Sequence, residues 1–168
     1  MKIIYKNLAL TILALSTCFT GGCDLAGIDL NAKPANKDAL SDISRWKVTA
    51  QSARCEFKNL NAMLDKNKTT YMYTVGDYKN ASIIIDLSRP CVFNEILLLH
   101  GPKQLGYAGL IEVYTSSNGQ DFTKIRTFPG TRYCTYLTLL TQVKARYIKL
   151  RAVRTTRYPW TISNIYIQ

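Results

Sequence analysis

The stretch "LIEVYTSSNGQDFTKIRTF" (residues 110–128) decides the fold. Two runs rich in β-branched and aromatic residues, 110–116 and 122–128, flank Asn118-Gly119. A tight hairpin needs positive φ at two successive residues, which Asn and Gly tolerate. The stretch therefore predicts two antiparallel strands joined by a short turn.

Working outward, "RYIKLRA" (146–152) places Ile148, Leu150 and Ala152 alternately with Tyr147, Lys149 and Arg151. This period of two predicts a strand with one buried face and one basic, exposed face. Further β-rich runs lie at 46–53, 81–87, 93–100, 136–142 and 161–167, separated by turn-forming residues. Within them "IIID" and "ILLL" do not alternate, so they are assigned to central strands buried on both sides, with a helix as the alternative. Eight strands and no long helix predict an all-β fold, an antiparallel β-sandwich. The lack of any longer repeat excludes a solenoid or propeller.

The first residues follow other rules. Lys2 and Lys6 precede the apolar run "LALTILAL" (8–15), which ends in small residues and cysteines. That is the pattern of an export signal, and the run is far shorter than the roughly 20 residues a bilayer span requires. "FTGGC" (19–23) resembles a bacterial lipobox through Gly21-Gly22-Cys23, although Thr20 departs from it. "LSTC" (15–18) competes, with Leu15 fitting and Thr17 oversized, and an unlipidated secretory signal is the plainer alternative. The expected organisation is a signal peptide at 1–22, lipidation at Cys23, a tether at 23–45 and one domain at 46–168. Such a chain would be an exported, membrane-anchored lipoprotein of the cell envelope. In the tether a short helix around 37–44 is compatible with Asn36 as its cap.

Charge narrows the partners. The chain carries 22 Lys and Arg against 11 Asp and Glu, a formal +11. Loss of residues 1–22 would remove only Lys2 and Lys6, leaving 20 basic and 11 acidic residues, a formal +9. A basic exported protein points to an anionic envelope component, an acidic polysaccharide or lipid headgroup, rather than nucleic acid; alternatively the charge serves solubility alone. Of five cysteines, Cys55, Cys91 and Cys134 lie in the expected domain. One disulfide and one buried thiol are the simplest outcome, with all three pairings open. A single His and the lack of a C-x-x-C spacing argue against zinc, so any metal should be held by oxygen.

Taken together, "AMLDKNKTT" (62–70), "SIIIDL" (82–87), "IEVYTSSNGQDF" (111–122), "ARYIKL" (145–150) and "WTISNIYI" (160–167) resemble, in order and spacing, the discoidin or coagulation-factor type-C domain. The resemblance implies a galactose-binding-like jelly roll of the kind many carbohydrate-binding modules share. It also implies a structural calcium, held by the Asp65 carboxylate, the Thr70 hydroxyl and carbonyls around Ala62 and Asn67, and closed by the Ser163-Asn164 segment. The pattern is departed from in three places: Lys66 where Gly is usual, Met72 where Trp is usual, and Ser163-Asn164 where an acid is usual. Fewer charged ligands and two adjacent lysines weaken calcium binding. The expectation is a weak calcium site, or a metal-free turn held by Asp65 and Thr70 hydrogen bonds.

No nucleophile with a base, carboxylate pair or phosphate-cradling loop is recognisable, so no enzyme activity is expected. By resemblance the ligand-binding loops are "HGPKQLGYAG" (100–109), "PGTRYCT" (129–135) and "RTTRYPWT" (154–161). They offer His100, Tyr107, Arg132, Arg157, Tyr158 and Trp160 as candidate contacts, aromatics to stack on sugar rings and cations to bond hydroxyls or anions. Against this, Trp160 and His100 also suit core positions. The function expected is a non-catalytic carbohydrate-binding module. The alternative is a structural or interaction lipoprotein that docks a partner protein or anionic lipid through its basic loops. Exposed Tyr158 and Trp160 favour the first reading; buried aromatics favour the second.

Overall fold

The structure, a computed structural model, describes Leu40 and residues 42–168. The predicted signal peptide, Cys18, Cys23, most of the tether and half of the short helix at 37–44 lie outside the described residues, and Ile43–Arg45 form a short 3-10 helix.

Among the described residues nine strands run in chain order: β1 (Lys47–Gln51), β2 (Cys55–Lys58), β3 (Met72–Gly76), β4 (Ser82–Leu99), β5 (Leu110–Ser116), β6 (Thr123–Pro129), β7 (Cys134–Arg154), β8 (Thr161–Ile162) and β9 (Asn164–Ile167). They form two antiparallel sheets. The larger has the order β1-β4-β7-β5-β6, with β9 also pairing β4, and the smaller is β2-β3-β8. Side chains from both sheets, among them Met72, Ile83, Ile111, Ile148, Trp160 and Ile162, share one core. The fold is the all-β antiparallel sandwich that strand alternation predicts.

The separate runs at 81–87 and 93–100 are one strand, β4, and those at 136–142 and 146–152 are one strand, β7. Their pairing slips between Asp86 and Cys91 and again between Phe93 and Glu95. The slips let Leu137 and Leu139 point inward together with Ile148, Leu150 and Ala152, although the two sets differ in phase. Ser88, with φ of 66°, and Pro90 fall where the ladder is interrupted, so the missing proline N–H costs no pairing there. β4 is central, bounded by β7 on one edge and by β1 and β9 on the other, as its unalternating runs predict. Ile96 and Leu98 enter the main core, while Leu97 and Leu99 pack on the opposite face with Cys134 and Tyr166.

The β5–β6 hairpin forms, but with different turn chemistry. Of the pair, only Gly119 has positive φ, 78°. The Asn118 side chain closes the loop instead, its Oδ1 accepting from the Gln120 and Asp121 amides at 2.9 Å each. Cys55 and Cys91 are free thiols, whereas Cys134 is disulfide-bonded. The expected disulfide among these three cysteines therefore does not form.

Candidate functional site

The smaller sheet and the loops beside it build a pocket at one end of the sandwich. His100, wholly buried just after β4, does not line it but bonds to Thr161, which does. His100 Nδ1 lies 2.7 Å from the Thr161 carbonyl, which can only accept, so Nδ1 carries the proton. Nε2 then accepts from the Thr135 hydroxyl at 2.9 Å. Burial drives the imidazole pKa down to about 4, against the opposing pull of the Thr161 carbonyl. A neutral histidine with both nitrogens engaged fastens three chain segments together. It is not available to a ligand, which corrects the expectation of His100 as a contact.

Backbone bonds lock the loop at 101–109 between its neighbours. The Tyr133 amide donates to the Gln104 carbonyl at 3.0 Å, and the Thr161 amide to the Gly106 carbonyl at 2.7 Å. A Cβ on Gly106 would come within 2.2 Å of Thr161 Oγ1, so only glycine permits this approach. The loop at 155–160 is braced similarly. Tyr78 Oη accepts from the Thr156 amide at 2.7 Å, and Thr156 Oγ1 donates to the Tyr107 carbonyl at 3.0 Å.

Trp160 is the anchor of that loop and is wholly buried. Its amide donates to Thr74 Oγ1 at 2.9 Å, its carbonyl accepts from the Thr74 amide at 3.1 Å, and its ring lies 6.2 Å from that of Tyr78. Trp160 is core packing, not a stacking platform, and the expectation is corrected accordingly. Tyr158, two residues earlier, is 41% exposed.

A cavity of about 510 Å³ opens between these loops and β3, lined by Tyr71, Tyr73, Pro102, Lys103, Gln104, Leu105, Gly106, Arg132, Tyr158, Pro159 and Thr161. Of the candidate contacts, Arg132 and Tyr158 line it. Tyr107 is half-buried behind the loop, 6.2 Å from the His100 ring, and does not. Arg157 lines an adjoining cavity of about 400 Å³ that shares Tyr73, Tyr158 and Pro159 with the first. The Arg132 guanidinium lies 4.7 Å from the Tyr133 ring centroid, and that of Arg157 5.9 Å from the Tyr158 ring.

Sequence reasoning missed Tyr71 and Tyr73, whose rings are 6.0 Å apart at 57°. Met72 and Thr74 are buried while Tyr71 and Tyr73 face the cavity, so the alternation in "YMYT" was the signal. Lys103, Gln104 and Leu105 were within a named loop but were not singled out.

The loop expected to bind calcium borders this cavity through Tyr71, which follows Thr70. A short 3-10 helix, Leu60–Leu64, delivers the chain to Asp65, and Ala62 sits within it. Asp65 Oδ1 accepts from the Asn67 amide at 2.8 Å, and Oδ2 from Thr70 Oγ1 at 2.5 Å. Thr70 Oγ1 is also 3.1 Å from the Asn67 carbonyl. Carboxylate, hydroxyl and carbonyl oxygens thus converge. Lys66 has φ of 61°, a left-handed conformation that explains why glycine is usual there. Gly101, with φ of 61°, ties the loop to the last strands: a Cβ there would lie 3.3 Å from the Lys68 carbonyl and 2.8 Å from Ser163 Cβ. Ser163 and Asn164 are buried, and Asn164 Oδ1 has no hydrogen-bond partner among the described residues. These oxygens fit a hard cation in type, with Asp65 supplying the one formal charge.

Sandwich, loop pocket and oxygen-rich turn together define a β-sandwich domain with a pocket among its loops. A family model described as the F5/8 type C domain matches residues 47–165, and the chain belongs to that family. No curated protein matches the sequence. Among solved structures, it is similar to a module from Clostridium perfringens, CpGH89CBM32-5, in complex with GalNAc-β-1,3-galactose, at 18% identity and a TM-score of 0.64, covering 74% of this chain and 96% of that one. The family 32 carbohydrate-binding module of C. perfringens NanJ, in complex with galactose, aligns at 17% identity and a TM-score of 0.63 over 74% and 94% of the two chains. The C-terminal domain of a Bacteroides fragilis chitobiase aligns at 20% identity and a TM-score of 0.63 over 77% and 95%.

Proposed function

We propose that this chain is a non-catalytic carbohydrate-binding module. The observation that carries the reading is the cavity of about 510 Å³ at the loop end, walled by Tyr71, Tyr73 and Tyr158 and edged by Lys103, Gln104 and Arg132. Its size falls within the roughly 300–1,000 Å³ usual for small-molecule sites. Tyrosine faces suit the C–H surface of a sugar ring, and the amide and cations suit its oxygens. The sugar complexes named for two structural neighbours support the same reading. The test is a glycan array followed by calorimetric titration of Tyr158→Ala. Removal of one exposed stacking face is expected to weaken binding about tenfold without unfolding the protein. Saturable binding to no glycan overturns the reading.

Two further parts of the proposal concern attachment and the ion. Asp65, Thr70 and the Asn67 carbonyl would hold a calcium ion, and the buried Asn164 Oδ1 is an unpartnered acceptor at the start of the last strand. When bound, the ion supplies cohesion between the loop and the end of the chain. Export with acylation at Cys23 would display the module at the envelope surface.

A further inference from the structure

We infer that the ligand is an oligosaccharide of two or more rings held along β3, with its second ring in the cavity of about 400 Å³ that adjoins the first. The inference rests on the glycan-binding reading and narrows it from a lone sugar to a chain segment.

The two cavities share a wall. Tyr73, Tyr158 and Pro159 line both. Burial alternates along β3: Met72 and Thr74 are sealed in the core, whereas Tyr71, Tyr73 and Val75 lie on the other face, Val75 being 51% exposed. Alternate residues of a strand stand about 7 Å apart, so these three form a row. Tyr71 and Tyr73 line the first cavity, and Tyr73 and Val75 the second. The apolar wall therefore continues past the first cavity, an extension that a pocket for one ring does not need.

The facing wall runs the same way. β8 pairs with β3 only at Met72 and Tyr73, through Ile162 and Thr161. Beyond that pair the loop at 155–160 takes its place. It is fastened to β3 by the Thr74–Trp160 bonds and, farther on, by the Thr156 amide donating to Tyr78 Oη at 2.7 Å. Pinned at both ends, the loop holds Arg157, Tyr158 and Pro159 around the second cavity. A wall braced in this way adds little ordering cost to binding.

The polar groups differ between the cavities, as two successive rings would require. A sugar hydroxyl both donates and accepts. In the second cavity Arg157 donates, and the Thr155 hydroxyl can do either. Asp77 accepts there: its Oδ2 meets Arg54 at 3.0 Å and its Oδ1 the Lys79 amide at 2.9 Å. An ionised carboxylate has about four lone-pair sites, so both oxygens can accept again. The first cavity has no carboxylate in its wall.

The experiment reads a glycan array by chain length, then titrates the protein with galactose, glucose and N-acetylglucosamine and with the β-1,4-linked dimer and trimer of each. In at least one series the dimer is expected to bind about tenfold tighter than the monomer. Val75→Gln and Arg157→Gln alter exposed side chains, so folding should hold, and each is expected to cut dimer binding about fivefold while leaving monomer binding within about twofold. Tyr158→Ala, which touches both cavities, weakens both. Monomers binding as tightly as longer chains overturn this inference and leave the glycan reading intact, as does a dimer advantage that survives both glutamine substitutions. Saturable binding to no glycan, on the array or in solution, overturns both.

Discussion

Tyr158 and Trp160 stand two residues apart in "YPW", yet one lines a cavity and the other is sealed in the core. Both are large aromatics with a polar handle, and nothing in residue type separates them. The backbone separates them, because the Thr74–Trp160 bonds draw Trp160 under the smaller sheet. His100 shows the same principle with a titratable side chain. Its folded pKa, about 4, lies below the ordinary 6.5. Between those values the unfolded chain takes up a proton that the folded chain refuses, so stability falls as pH drops through that window. The expected loss from this group between pH 7 and pH 4 is about 3 kcal/mol. Denaturant melts of the wild type and His100→Gln across that range check it. The variant should lack this component, and parallel pH profiles would disprove the assignment.

At the scale of elements, β2 and β3 escaped the sequence reading while the large sheet did not. β2 has four residues, and β3 is held on one side by a β8 of only two. Such short runs contain too few alternations to stand out from a polar loop. Yet β3 carries Tyr73 and leads in from Tyr71, so much of the pocket wall was hidden with it. The turn from Asp65 to Thr70 was legible because its spacing is local. Its strain was not: Lys66 occupies a left-handed conformation that disfavours any side chain. Lys66→Gly is expected to stabilise the domain by about 1 kcal/mol and to strengthen calcium binding by removing a neighbouring cation. In thermal melts, calcium should raise the midpoint relative to chelator, more in Lys66→Gly and not at all in Asp65→Ala. A wild type and a glycine variant both indifferent to calcium would leave the turn metal-free.

For the whole molecule, the predicted anchor and the cysteine pattern make competing demands. Cys55 and Cys91 are free and Cys134 is bonded. A thioether-linked lipid and a disulfide cannot share one sulfur. If Cys23 is acylated, mass spectrometry of the mature protein will find a lipid-bearing N-terminal Cys23 peptide and an alkylatable Cys134. A Cys23–Cys134 disulfide peptide would rule out that anchor.

The sequence by itself determined the β-sandwich, the central place of β4, the presence of the hairpin at 116–123 and the Asp65–Thr70 spacing. Each depends on residues near one another in the chain, through side-chain alternation or turn chemistry. Tertiary structure decided which residues meet at the pocket. Tyr71, Tyr73, Lys103, Arg132 and Tyr158 come from four separated segments, joined by backbone bonds to Gly106, Gln104 and Trp160 that have no local signature. It also moved His100 and Trp160 from the surface to the interior, because burial depends on what folds over a residue.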